Sequence, residues 1–262
     1  DLNMAKKPAK AAKPKTDHTR PVGPAVSRIP PGRVPDLRPL HGRWVVLSPL
    51  DTVKHGGALY RSFAGGPQAD SLWTYMAYGP FLEEQAFALW LAEKEKSRDP
   101  WFYALVPRGA EAAGMASFLR ADPANGVIEI GNIWLAPALQ KTRAATEAIF
   151  LLMRHAFEEL GVRRLEWKCD ALNAPSRRAA DRFGFTFEGV FRQHMVIKGR
   201  NRDTAWYAIT DAEWPEIRHA FEGWLAPENF SSDGTEKAKL RVPGAGAKAA
   251  PGTESRGKTH VG

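Results

Sequence analysis

Between residues 101 and 160 the apolar period of the sequence changes once, and that change limits the folds open to the chain. "WFYALVP" (101–107), "AAGMASFLRA" (112–121) and "GVIEIGNIWLA" (126–136) are strand-like runs separated by the turn-rich "RGAE" and "DPAN", the pattern of an antiparallel meander. Residues 142–160 then place Ile149, Met153, Ala156 and Leu160 at helical spacing, which predicts a long helix.

The flanks extend the alternation. "GRWVVLSPL" (42–50) reads as a first strand, and Asp51 is placed to cap a helix that ends in glycine near residue 65. Phe87 and Leu91 share one stripe of an amphipathic helix over 82–97. "VRRLEWKCD" (162–170) alternates Leu165, Trp167 and Cys169 against Arg164, Glu166 and Lys168, a half-buried strand. "NAPSRRAADRFGF" gives a short helix closing on Gly184, and residues 187–210 form a hairpin turning near 199–201. The expected order is strand, two helices, strands, helix, strand, helix, two strands, in one domain over 39–230.

Charge narrows the function classes. The net +8 divides into +6 in residues 1–38, +3 in residues 231–262 and −1 between them. The terminal segments are rich in Ala, Pro, Gly and Lys and bury too little apolar surface to offset ordering, so they are expected to be disordered basic tails. Such arms serve solubility or touch RNA or the ribosome electrostatically. No apolar run is long enough to span a membrane, the N-terminus lacks the pattern of a secretory signal, and the single cysteine, Cys169, fits a reducing compartment. A cytoplasmic protein is expected. The seven histidines show no ligand spacing, so no metal is expected.

Residues 129–192, "EIGNIWLAPALQKTRAATEAIFLLMRHAFEELGVRRLEWKCDALNAPSRRAADRFGFTFEGVFR", resemble the GCN5-related N-acetyltransferases (GNAT), specifically the branch that includes the RimJ and RimL protein N-terminal acetyltransferases. The resemblance covers most of 42–225 and rests on a Gln-led turn, "ATEA", N-x-x-S and GF-x-x-EG at family spacing. It implies an α+β fold, a mixed and mostly antiparallel sheet flanked by helices, whose central strands splay apart to admit acetyl-coenzyme A. It also implies direct acetyl transfer to a primary amine, either a protein N-terminus or a small molecule. Relatives often dimerise, and a homodimer is left open.

The family binds the cofactor pyrophosphate in a Gln/Arg-x-x-Gly-x-Gly/Ala turn, through backbone N–H groups at a helix start. Here the stretch is Gln140, Lys141, Thr142, Arg143, Ala144 and Ala145, with Arg143 in place of the first glycine. The donors are main-chain groups that any non-proline residue supplies. With helical dihedrals at 143, the Arg side chain could reach a phosphate; if a positive φ is required there, binding weakens. A plain strand-to-helix turn is the alternative.

The resemblance further implies cofactor and oxyanion donors on the backbone of Ile133, Trp134 and Leu135, a base at Glu129, a pantetheine contact at Asn173 and a thiolate acid at Ser176. Strand alternation places Glu129 with Gly131 and Ile133, opposite Ile130, Asn132 and Trp134. Asn173 also suits a helix N-cap, and Ser176 a solvent-facing position on that helix. Trp73, Tyr75, Tyr78 and Phe81 are candidates for an acceptor wall or for core, and His194 for an acceptor-side base or a surface imidazole. Cys169 reads as core. A coenzyme A-binding protein without efficient catalysis and a binding module acting through its tails are the other readings.

Overall fold

The computed structural model describes residues 20–243. Eight strands form one open sheet in the order β1-β2-β3-β4-β5-β6-β8-β7. They are β1 (Leu40–His41), β2 (Val45–Pro49), β3 (Trp101–Pro107), β4 (Gly114–Asp122), β5 (Val127–Leu135), β6 (Arg164–Asp170), β7 (Thr186–Ile197) and β8 (Arg200–Thr210). Every neighbouring pair is antiparallel except β5 and β6. The meander is β3-β4-β5, as its turns require, and the hairpin closes through Lys198 and Gly199, both at positive φ.

Helices cover both faces, so β3 reads as a continuous apolar run. Trp101, Tyr103 and Leu105 enter the core beneath α3 (Arg143–Arg154) and α5 (Trp214–Leu225), which also takes Ile128, Ile130, Leu165, Trp167 and Cys169. Phe102 and Ala104 enter a second core under α1 (Thr52–Arg61) and α2 (Glu84–Glu95), with Leu59, Phe63, Trp73, Phe87 and Leu91. Asp51 caps α1, its carboxylate accepting the Lys54 N–H at 2.8 Å. The helix expected over 142–160 is α-helical to Arg154 and continues as a wider π turn, His155–Leu160, ending on Gly161 at φ 67°. The short strand β1 and the helix α5 are additions to the expected order.

Residues 231–243, assigned by composition to the C-terminal tail, pack on the domain. Phe230 and Val242 are buried, Trp224 Nε1 donates to Glu236 at 2.8 Å, and Asn229 exchanges hydrogen bonds with Ala238. On the other side, Pro30 and Pro31 lie against Gly126 and Gly161, and Arg33 donates to the Glu159 carbonyl. Apolar residues scattered among the prolines and charged residues, Leu37 on one side and Leu240 and Val242 on the other, pack against the domain core. The remainder of the expected tails lies outside the described residues.

Candidate active site

The site begins with a strand pair that stops pairing. β5 and β6 run parallel and meet only at Val127, Ile128 and Glu129 against Arg164, Leu165 and Glu166. Beyond Glu129 the two strands diverge, leaving a wedge whose edges carry backbone groups without a ladder partner.

A bulge shapes the β5 edge. Met115 pairs with Trp134 and Ser117 with Gly131, so β5 carries one extra residue there, and Asn132 sits at φ 50°. Asn132 tolerates this left-handed conformation. Its side chain fixes the bulge, donating to Ser117 Oγ at 2.9 Å and accepting from Tyr78 Oη at 3.3 Å. The extra residue reverses the expected alternation. Trp134 enters the α1/α2 core, on the face of Glu129, while Ile133 and Leu135 pack toward the α3 core with Ile130. Ala136 N–H donates to Ala113 O across β4, so alternation turns the Leu135 and Ile133 N–H groups away from β4, into the wedge.

The turn into α3 follows. Gln140 Nε2 donates to Leu135 O at 3.0 Å and to Gln68 at 3.1 Å, tying the turn to the strand end. Lys141 holds the positive φ, 60°, and Thr142 is the N-cap, its hydroxyl accepting the Ala145 N–H at 3.1 Å. Ala145 is therefore already satisfied. Among the described residues the N–H groups of Lys141, Arg143 and Ala144 have no protein acceptor. Arg143 is the first residue of the helix with no positive φ, so glycine is unnecessary there. Its guanidinium points elsewhere than the turn: it lies 3.7 Å from the Trp44 ring centroid and 5.2 Å from that of Phe230. Glu147, one turn into α3, is buried and accepts the N–H groups of Arg43, Trp44 and Val45 at 2.8, 2.6 and 3.0 Å. Its carboxylate fills the space where Gly42 lacks a Cβ.

The β6 side is closed by α4 (Ala174–Arg182). Asn173 caps it, Oδ1 accepting the Ser176 N–H at 3.1 Å, and the Asn173 amide nitrogen has no protein partner among the described residues. Ser176 Oγ accepts from Trp167 Nε1 at 3.0 Å and neighbours the Cys169 thiol, whose pKa burial pushes up. Cys169 is thus a buried thiol beside the Ser176 hydroxyl.

On the α1/α2 face of the wedge lies a chain of charges. Glu129 Oε2 meets Arg120 Nη1 at 2.7 Å and Lys168 Nζ at 3.1 Å; Lys168 continues to Glu166 at 2.6 Å, and Arg164 joins Glu166 to Glu188. Among the described residues Glu129 Oε1 has no protein donor, and it faces the space left by Gly131. Lys168 sits 3.9 Å from the Trp206 ring centroid. Sequence periodicity gave no sign of Arg120 or Lys168 as partners, because cross-strand register makes the cluster.

The expected acceptor wall divides. Trp73 is fully buried among Phe63, Phe81, Trp90 and Trp134, and Phe81 is packed into the same aromatic cluster, so both are core. Tyr75 reaches across the wedge to donate to Leu172 O at 3.1 Å, and Tyr78 holds Asn132, its phenol kept protonated by burial. His194 is exposed, 2.9 Å from Thr204 Oγ1. Lys198, at the hairpin tip, donates to Trp73 O at 2.8 Å, closing the far side. Among the described residues no three His, Cys, Asp or Glu side chains group as metal ligands, and no helix is long and apolar enough to cross a membrane.

Comparisons with known proteins converge. The acetyltransferase (GNAT) domain family profile matches residues 45–186. The chain is similar to a GCN5-related N-acetyltransferase of known structure from Brucella melitensis, with 47% identity and TM-score 0.78 over 82% of this chain and 96% of that one. It is 29% identical over 150 residues, half of this chain and 81% of the other, to YdaF of Bacillus subtilis (strain 168), named as a candidate ribosomal N-acetyltransferase. It is 33% identical over 104 residues, 39% of this chain and 58% of the other, to the ribosomal-protein-serine acetyltransferase of Escherichia coli (strain K12).

Proposed function

The chain belongs to the GNAT acetyltransferase family, and from that premise we propose that it moves an acetyl group from acetyl-coenzyme A to a primary amine by direct attack on the thioester. The observation that carries this is the wedge itself: unpaired amides on β5 and at the start of α3 face one opening, with Asn173 and Ser176 on its other edge. When bound there, acetyl-coenzyme A supplies an activated acyl group.

The N–H groups of Lys141, Arg143 and Ala144, at the positive end of α3, hold the pyrophosphate. The N–H groups of Ile133 and Leu135 and the free amide of Asn173 bind the pantetheine arm, and the β5 donors stabilise the oxyanion. Glu129, through the free Oε1, takes the proton of the incoming ammonium directly or through water. The amine nitrogen then bonds to the carbonyl carbon, the carbon–sulfur bond breaks, the Ser176 hydroxyl protonates the departing thiolate, and the second proton lost by the nitrogen returns to the Ser176 oxygen through water. Trp167, donating to Ser176 Oγ, supports the oxygen as its proton leaves.

The acceptor enters from the α1/α2 face, past Tyr75 and His194. A protein α-amine is the favoured acceptor, supported by the ribosomal-protein relatives, and a cytoplasmic setting suits it. Thiol release from acetyl-coenzyme A with N-terminal peptides is the test. Peptide-dependent release that falls at least about tenfold in Ser176→Ala, at unchanged cofactor affinity, supports the mechanism. Unchanged release by Ser176→Ala removes that residue's role, and no release with any amine favours a coenzyme A-binding protein without turnover.

A further inference from the structure

Among the described residues, the acceptor face carries an arginine outside its ionic chain. In the ionic chain Arg120, Lys168 and Arg164 balance Glu129, Glu166 and Glu188. Arg202 has no share in it. Its Nε donates to Thr204 Oγ1 at 3.1 Å, and among the described residues its guanidinium forms no ion pair.

Its position is set by register. Thr204 on β8 faces Asp170, the last residue of β6, and Arg202 lies two residues further along β8, past the end of β6 at the wide mouth of the wedge. Thr204 is fully buried and shared with His194, which fixes the stem of the Arg202 fork while its Nη groups stay free. The guanidinium is half-buried, and desolvation lowers its pKa, with Asp170 and Glu129 the nearby acids that oppose the shift. A partly dehydrated cation without a partner gains most from a carboxylate that arrives with a ligand, because both Nη groups can engage it side by side.

We infer that Arg202 is a specificity-determining residue that receives a carboxylate carried by the acceptor, so that the preferred amine belongs to an acidic peptide N-terminus or a small aminocarboxylate. This rests on the acetyl-transfer reading for the identity of the amine, whereas the carboxylate preference is a binding property measurable without turnover. Lys168 is unsuited to the role because Glu129 and Glu166 already hold it, and Arg120 is bound to Glu129.

The experiment titrates the full chain, loaded with coenzyme A, with Ser-Glu-Gly-Gly amide against Ser-Gln-Gly-Gly amide, and with 4-aminobutyrate against butylamine. The acidic member of at least one pair is expected to bind about tenfold more tightly at low salt, less so at high salt. Arg202→Gln brings the two members together, and Arg202→Lys leaves an intermediate ratio. A preference confined to the peptide pair identifies a side-chain carboxylate, and one confined to the small pair identifies a small acceptor. Equal affinities in both pairs, or a preference that survives Arg202→Gln, overturns the assignment. If the preference holds while no amine is acetylated, the acetyl-transfer reading fails and the carboxylate site stands.

Discussion

The guanidinium of Arg143 rests over the Trp44 ring, 3.7 Å from its centroid, and lies 5.2 Å from the centroid of the Phe230 ring. Three distant segments meet in this stack: the approach to β2, the first residue of α3 and the chain beyond α5. A side chain standing where relatives carry glycine thus becomes a clasp for the C-terminal segment.

Arg143→Ala is expected to cost about 1 kcal/mol through the lost cation–π contacts. It is also expected to speed hydrogen exchange selectively in residues 230–242. Exchange mapped by mass spectrometry checks this, and uniform acceleration across the domain would speak against a local clasp.

Glu147 is the anchor of α3. Removing its carboxylate leaves the N–H groups of Arg43, Trp44 and Val45 without acceptors, so Glu147→Ala should destabilise the fold by about 2–4 kcal/mol, read from urea unfolding. Coenzyme A affinity should fall with it, since the start of α3 loses its tie to β2.

The β5 bulge depends on a residue that accepts a positive φ. Asn132→Val adds about 1–2 kcal/mol of backbone strain and deletes the contacts to Ser117 and Tyr78. Acetyl transfer should drop more than about tenfold as the wedge donors shift, while Asn132→Gly, which keeps the dihedral, should retain more activity than Val. Equal losses would assign the role to the side chain instead.

His155 predicts a pH dependence of stability. Burial, reinforced by Arg38, holds it down at about 4, against 6.5 for the free imidazole. Below 6.5 the unfolded chain takes a proton that the folded one refuses, so stability is full above about 6.5 and declines as pH falls toward 4. The loss is about 2 kcal/mol at pH 5. Urea midpoints at pH 7.5 and 5 measure it, and His155→Gln should flatten the difference.

The order of elements was readable because periodicity survives wherever one face is buried: β3 to β5, α3 and β6 follow their apolar patterns. Helix α5 is absent from the expected order although its signal is present, since Trp214, Ile217, Phe221 and Trp224 recur at helical spacing and Pro215 sits where a helix start tolerates it. The site was less legible. A single inserted residue at Asn132 reverses the faces of Ile133 and Trp134, and no alternation count shows where a bulge falls. Trp73 and Phe81 carry the composition of a pocket wall but pack as core. Arg120, Lys168 and Arg202 come together only through strand register, which the linear sequence does not state.

The central claim is that backbone amides, rather than the Arg143 side chain, hold the cofactor phosphates. The direct test is the affinity of the full chain for coenzyme A beside Arg143→Ala and Arg143→Pro. Proline suits the first position of a helix, and Thr142 before it is already extended at φ −91°, ψ 160°, so Pro removes one N–H that Ala keeps. The account predicts affinity within about threefold of the parent for Ala and a further loss of about tenfold for Pro, at matched melting temperature. Binding abolished by Ala, with Pro no worse, would show that the guanidinium holds the phosphate and would contradict it.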